Sequence, residues 1–188
     1  MRRGRWSGVS DEAPQAPAEE APPPPLPEWV ENVRAAVPGA VTAVLGLPGG
    51  DGEADAPTLQ VAPVGWVAVA GALKAEGFDY FADLAAVDYP ERAQRLEIVL
   101  HLRDLAHGRL VRCVTQVGDG ESLESLEPLL AGAGWPEREV FDLFGTPFRG
   151  NADLRRLLLP EDWTGYPLRR DYPLAGPREL DPESPYAH

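Results

Sequence analysis

Between Arg95 and Asp104 the side chains alternate without a slip: Leu96, Ile98, Leu100 and Leu102 share one face, while Glu97, Val99, His101 and Arg103 take the other. A period of two is the mark of a strand in a sheet that is covered on one side and open on the other. Residues 110–117 repeat the pattern less sharply after a turn at His107-Gly108. His101 is then a residue on the solvent side of a strand and His107 a turn residue, neither one a ligand.

The rest of the amino-terminal two thirds can be built around that pair. Trp29, Val30, Val33 and Val37 recur at helical spacing before Pro38-Gly39, which predicts a short amphipathic helix over 28–37. Residues 41–47 and 58–62 read as strands joined across Gly49-Gly50-Asp51-Gly52. No lysine follows those glycines and Asp51, Glu53 and Asp55 crowd them, so the loop is a hairpin connection and not a phosphate cradle. A helix over 65–76 with Gly77 as its stop, β-rich sequence over 78–89 and a helix over 123–130 complete the order. The expected fold class is α+β: a two-layer domain over 28–134, with helices on a mostly antiparallel five-stranded sheet. An extended carboxy-terminal strap with short helices follows it.

Charge and composition exclude several functions. The chain of 188 residues has 17 basic and 30 acidic side chains, a net charge of −13, which repels nucleic acid and anionic lipid alike. A single cysteine, Cys113, leaves no disulfide framework, iron–sulfur cluster or cysteine zinc site. No apolar run approaches the roughly 18 to 20 residues of a transmembrane helix. Residues 1–27 hold seven prolines and little to bury, an expected disordered arm, and 176–188 form an acidic tail.

Residues 135–175 are of another kind. They contain seven of the fifteen aromatic residues and six arginines, without a lysine, and are broken by Pro147, Pro160, Pro167 and Pro173. Pro136, the acidic Glu137 and Glu139, and Gly145 delimit one short helix carrying Val140, Phe141 and Phe144. Asn151 can cap a second, with Leu154, Leu157 and Leu158 on its stripe, and Pro160 begins a further turn that Gly165 ends. The segment is too apolar for disorder and too interrupted for a core of its own. Its rings therefore need another surface, either a neighbouring protein or, less favoured, the open side of the sheet.

Here the residues carry a resemblance. Glu137-Arg138-Glu139-Val140-Phe141-Asp142-Leu143-Phe144-Gly145, then Asp153-Leu154-Arg155-Arg156-Leu157-Leu158, Pro160-Glu161-Asp162-Trp163 and Pro167-Leu168-Arg169-Arg170-Asp171-Tyr172-Pro173 look like the successive blocks of the 30 kDa (C-type) subunit family of NADH-quinone oxidoreductase, respiratory complex I. Residues 77–117, with Asp83 and Asp88-Tyr89-Pro90, are similar to its domain. There are two departures: Asn151-Ala152 stands where the family usually has His-Pro, and Tyr166 where it has a second histidine. Both can still donate hydrogen bonds, but neither can carry a proton as histidine does.

The resemblance implies a peripheral-arm subunit of a proton-translocating NADH:quinone oxidoreductase with no active centre of its own. No catalytic, cofactor-binding or metal-binding residue is expected in it; flavin, iron–sulfur clusters and quinone belong to partner subunits. Its partners would be the quinone-site (D-type) subunit and neighbouring iron–sulfur subunits, at the cytoplasmic face of the cell membrane. The expected interface is Glu137, Arg138, Glu139, Phe141, Asp142, Phe144, Gly145, Arg155, Arg156, Pro160, Trp163, Arg169, Asp171 and Tyr172. In it Phe141, Phe144 and Trp163 fill pockets on the partner, and the arginines and carboxylates pair across it to set register. Two alternatives stay open: the equivalent subunit of a membrane-bound hydrogenase or formate hydrogenlyase, and a free-standing enzyme using Glu137, Glu139 and Asp142 as an acid–base set.

Overall fold

The computed structural model describes residues 25–46 and 56–174. The arm, the glycine-rich loop and the acidic tail fall mainly or wholly outside them. Helix α1 (Glu28–Ala36) starts after Pro27 with Glu28 and Glu31 in its first turn, where carboxylates suit the helix dipole. Strands β1 (Val41–Leu45) and β2 (Thr58–Val61) are antiparallel neighbours, as a hairpin requires. Helix α2 (Trp66–Ala75) is followed by Gly77, whose φ of +96° turns the chain back in a conformation that glycine adopts freely. Then come β3 (Tyr80–Asp88), β4 (Leu96–Asp104) and β5 (Arg109–Val117).

The five strands lie in the order β1-β2-β5-β4-β3, antiparallel except where β2 runs beside β5. Leu96, Ile98, Leu100 and Leu102 are fully covered, as are Val111, Cys113 and Val117 of β5. Against them pack Trp29, Val30 and Val33 of α1 and Trp66, Val69, Ala70 and Leu73 of α2, in one continuous core. The Trp29 and Phe78 rings meet at 4.7 Å. The opposite face carries half-buried Val87, Val99 and Val114 among Gln60, Glu97, His101 and Arg112, lining a shallow groove to which the strap contributes no residue.

The expected helix over 123–130 is not formed. Leu123–Glu124 is a short strand, β6, paired in parallel with β7 (Phe148–Arg149), and Leu126 and Leu130 enter the core from turns. The helical reading placed Pro128 inside a helix, where it disfavours the helical conformation of Glu127 before it. The Ser125 hydroxyl and the Leu126 amide also have another acceptor, the Glu137 carboxylate. Lys74, the one lysine of the chain, donates from α2 to the Leu129 carbonyl at 2.8 Å and ties this loop down.

Candidate functional site

Helix α3 (Gly134–Phe144) is the post around which the strap is wound. It is an ordinary helix at its start, with Glu137 in the first turn, and it stops at Gly145, whose φ of +83° is left-handed. A β-carbon at Gly145 would lie 2.5 Å from the Tyr166 ring, so the glycine serves both the turn and the packing above it. The last turn of α3 contains no basic residue, although cations are favoured at that end. The strap supplies them. Arg156 donates to the Asp142 carbonyl at 3.1 Å and Arg169 to the Phe144 carbonyl at 2.6 Å, while the Leu168 amide reaches the Leu143 carbonyl at 3.2 Å.

Two buried carboxylates on α3 organise the strap's first half. Asp142 accepts the amides of Leu157, Leu158 and Leu159 at 3.0, 2.8 and 2.9 Å and the Arg156 guanidinium at 2.7 Å. Burial opposes its charge, but the Leu159 amide, Arg156 and the other two amides outweigh that, and the carboxyl titrates below its usual 3.8. Three consecutive amides aimed at one carboxylate cannot also bond back along a helix. That is why no second helix forms after Asn151: residues 151–159 are turns and bends.

Glu137 is equally buried but has no counter-charge among the described residues. Its oxygens accept from Ser125 Oγ at 2.6 Å, the Leu126 amide at 2.6 Å and Asn151 Nδ2 at 2.9 Å. Burial pushes its carboxyl up, against those three donors and with help from the charge of Glu127. Arg138, beside it, donates to the carbonyls of Arg155 and Arg156 at 3.3 and 3.1 Å and lies 3.2 Å from Asp153.

The strap's second half is held from the sheet. Arg95 on the approach to β4 grips Asp88 with one edge and Asp171 with the other, the latter at 2.6 and 2.9 Å. Asp88 also accepts the Arg170 amide at 2.7 Å. Arg95 first, and this amide after the opposing effect of burial, keep the Asp88 carboxyl low. Arg169 reaches Asp119 at 2.8 Å, with Tyr166 4.7 Å beneath it. Tyr172 closes the loop by donating its hydroxyl to the Thr164 carbonyl at 3.2 Å.

The fourteen residues expected to meet a partner thus divide. Glu137, Arg138, Asp142 and Gly145 are buried, and their polar groups are satisfied inside the chain. Arg156 and Arg169 are half-buried and cap α3; Asp171 is exposed but paired with Arg95. Arg155 is exposed and pairs with Asp153, two positions before it. Phe141, Phe144, Pro160, Trp163 and Tyr172 are half-buried, and Glu139 is exposed. The Asp142–Arg156 pair is therefore made within this chain. Glu139 faces solvent while Glu137 and Asp142 are buried. Arg95, Asp88, Asp119 and Ser125 were not expected here, because nothing in their local sequence points to a strap many residues away. Large apolar side chains remain outside: Trp135 is 70% exposed, Leu158 62% and Leu168 53%.

Residues 59–178 match the family described as respiratory-chain NADH dehydrogenase, 30 Kd subunit. The chain belongs to this family. It is 38% identical over 126 residues to the mitochondrial NADH-ubiquinone oxidoreductase 30.4 kDa subunit of Neurospora crassa, covering 65% of this chain and 44% of that protein. It is 44% identical over 99 residues to the C-type subunit of NADH-quinone oxidoreductase from Methylorubrum extorquens, covering 53% and 45%. The chain spans about half the length of these curated relatives. Among solved structures it is similar to a trypsin-resistant fragment of Nqo5, with a TM-score of 0.53 at 27% identity, covering 66% of this chain and 96% of the fragment. It also shares its fold with a chain of the archaeal membrane-bound sulfane sulfur reductase, at a TM-score of 0.65 and 22% identity, covering 78% and 85%. No helix among the described residues is long and apolar enough to cross a membrane, and no group of His, Cys, Asp and Glu among them could hold a metal ion.

Proposed function

We propose that this chain is a non-catalytic peripheral-arm subunit of a proton-translocating NADH:quinone oxidoreductase. It docks on the quinone-site subunit and adjoining iron–sulfur subunits, on the cytoplasmic side of the membrane, and works by assembly and not by chemistry. One observation carries the reading. The strap pairs its buried carboxylate and its arginines against α3 and the sheet, yet leaves Trp135, Leu158 and Leu168 in water and the buried Trp163 Nε1 without a partner among the described residues. An ordered segment that exposes large apolar side chains is built for another surface. Its internal ion pairs fix the shape that is offered, and the apolar side chains, with the half-buried Phe141, Phe144 and Trp163, supply contact area.

The test is copurification from mildly solubilised membranes. Leu158→Glu and Leu168→Glu should leave the isolated chain as stable as the wild type, since both positions are exposed, while depleting it from the complex. Unchanged complexes carrying both substitutions, or a purified isolated chain with turnover of its own, would overturn the reading. A membrane-bound hydrogenase or formate hydrogenlyase is the second reading, favoured by the fold shared with a chain of a different respiratory membrane complex; the electron-input subunits that copurify decide between them.

A further inference from the structure

Asp142 and Asp171 both hold the strap, but in physically different ways. The Asp142 side chain is 0% exposed, and removing the strap from it would strand a buried carboxylate and three amides. Asp171 is 61% exposed, and its partner Arg95 keeps a second carboxylate, Asp88, whichever way Asp171 goes. Letting Asp171 leave strands nothing. At Arg169 the carboxylate partner Asp119 is likewise exposed, at 58%, so its release leaves the Phe144 carbonyl as the group another donor must meet. Arg156 donates to the carbonyls of Trp163 and Gly165, yet keeps Asp142 if those two bonds are lost. The ionic contacts from Pro160 onward are thus solvent-facing or backed by a partner that remains, whereas the Asp142 cluster before it is neither.

Resting on the docking reading, we infer that the strap is a fixed segment up to Pro160 followed by a releasable flap over 160–174. The bond between Asp171 and Arg95 is the clasp, opened when a partner subunit takes the flap. Opening uncovers the carbonyls of Leu143 and Phe144 at the end of α3, the outer edge of the Arg95 guanidinium, and the inner side of Tyr166. The partner surface that fits has hydrogen-bond donors for the helix end and a carboxylate for Arg95. The flap is a short lever: its loop is internally closed by the Tyr172 hydroxyl on Thr164, so it moves as one piece.

Amide hydrogen exchange on the full isolated chain reads this directly. In Asp171→Asn, the amides of Leu168 and Arg170 should exchange about tenfold faster than in the wild type, while those of Leu157, Leu158 and Leu159 keep their protection. Raising salt to about 0.5 M on the wild type should reproduce the pattern without any substitution, because an exposed ion pair is screened and a buried one is not. Equal change in both sets of amides, or change in neither, overturns the clasp. Because the closed state must be undone before docking, Asp171→Asn should also bind the partner complex at least as tightly as the wild type. Weaker binding would mean that the partner reads the closed flap, and the inference fails. A wild-type chain that shows the exchange pattern but copurifies with no membrane complex overturns the docking reading alone.

Discussion

At the residue scale, the two buried carboxylates of α3 should respond to pH in opposite directions. The Asp142 carboxyl titrates below its usual 3.8 in the folded chain, so its contribution is present above that value and is lost as pH falls through the lowered one. The Glu137 carboxyl titrates above its usual 4.5, so what it contributes is present below 4.5 and is lost as pH rises through the raised one. Denaturant midpoints measured from pH 4 to 7 should therefore show the wild type losing ground relative to Glu137→Gln as pH rises; a gap that widens in the other direction contradicts the assignment. Asp142→Ala strands three amides and leaves Arg156 without its counter-charge, and truncating one side of a buried pair costs about 3 to 5 kcal/mol, read from urea unfolding. Gly145→Ala has to adopt a left-handed conformation and collides with Tyr166, so about 1 to 2 kcal/mol of backbone cost plus the displaced ring should lower its thermal midpoint. None of these roles can be read from adjacent residues. The one hint in the sequence is indirect: α3 ends without a cation of its own, and arginines are plentiful a dozen or more residues on.

At the scale of elements, what was legible is what is periodic and local. The alternation in β4 names its covered face correctly, and the stops at Pro38-Gly39 and Gly77 place the ends of α1 and α2. Leu100→Ala should cost about 2 to 5 kcal/mol by opening a cavity between sheet and helices, whereas Val99→Ala, half-buried on the other side, should cost less than about 1. Equal losses in chemical denaturation would mean that the two faces differ less than their burial implies. What was illegible depends on partners distant in sequence. Residues 123–124 become strand because 148–149 lie beside them, and 157–159 turn away from helix because Asp142 collects their amides. Local helical spacing of leucines cannot compete with either.

For the whole molecule, the same segment both completes the fold and offers a surface. The sequence pattern showed that the aromatic, arginine-bearing stretch needs a surface to lie on. It did not show that one side of the need is met at home, by α3 and Arg95, leaving a smaller outward set of apolar residues. That division explains why ionic residues and apolar ones should behave differently when changed. Leu158→Glu should act on assembly and leave stability alone, while Asp142→Ala should act on both, a contrast that copurification and unfolding measured on the same two variants will expose.

Arg95 and Asp171 stand 76 positions apart. During synthesis all five strands are therefore made before the carboxylate that occupies Arg95's outer edge. A chain interrupted between Pro160 and Pro167 lacks the donors that meet the Leu143 and Phe144 carbonyls and the carboxylate that meets the outer edge of Arg95. On the docking reading, such a fragment differs from a chain that reaches Asp171 by the groups a partner would meet.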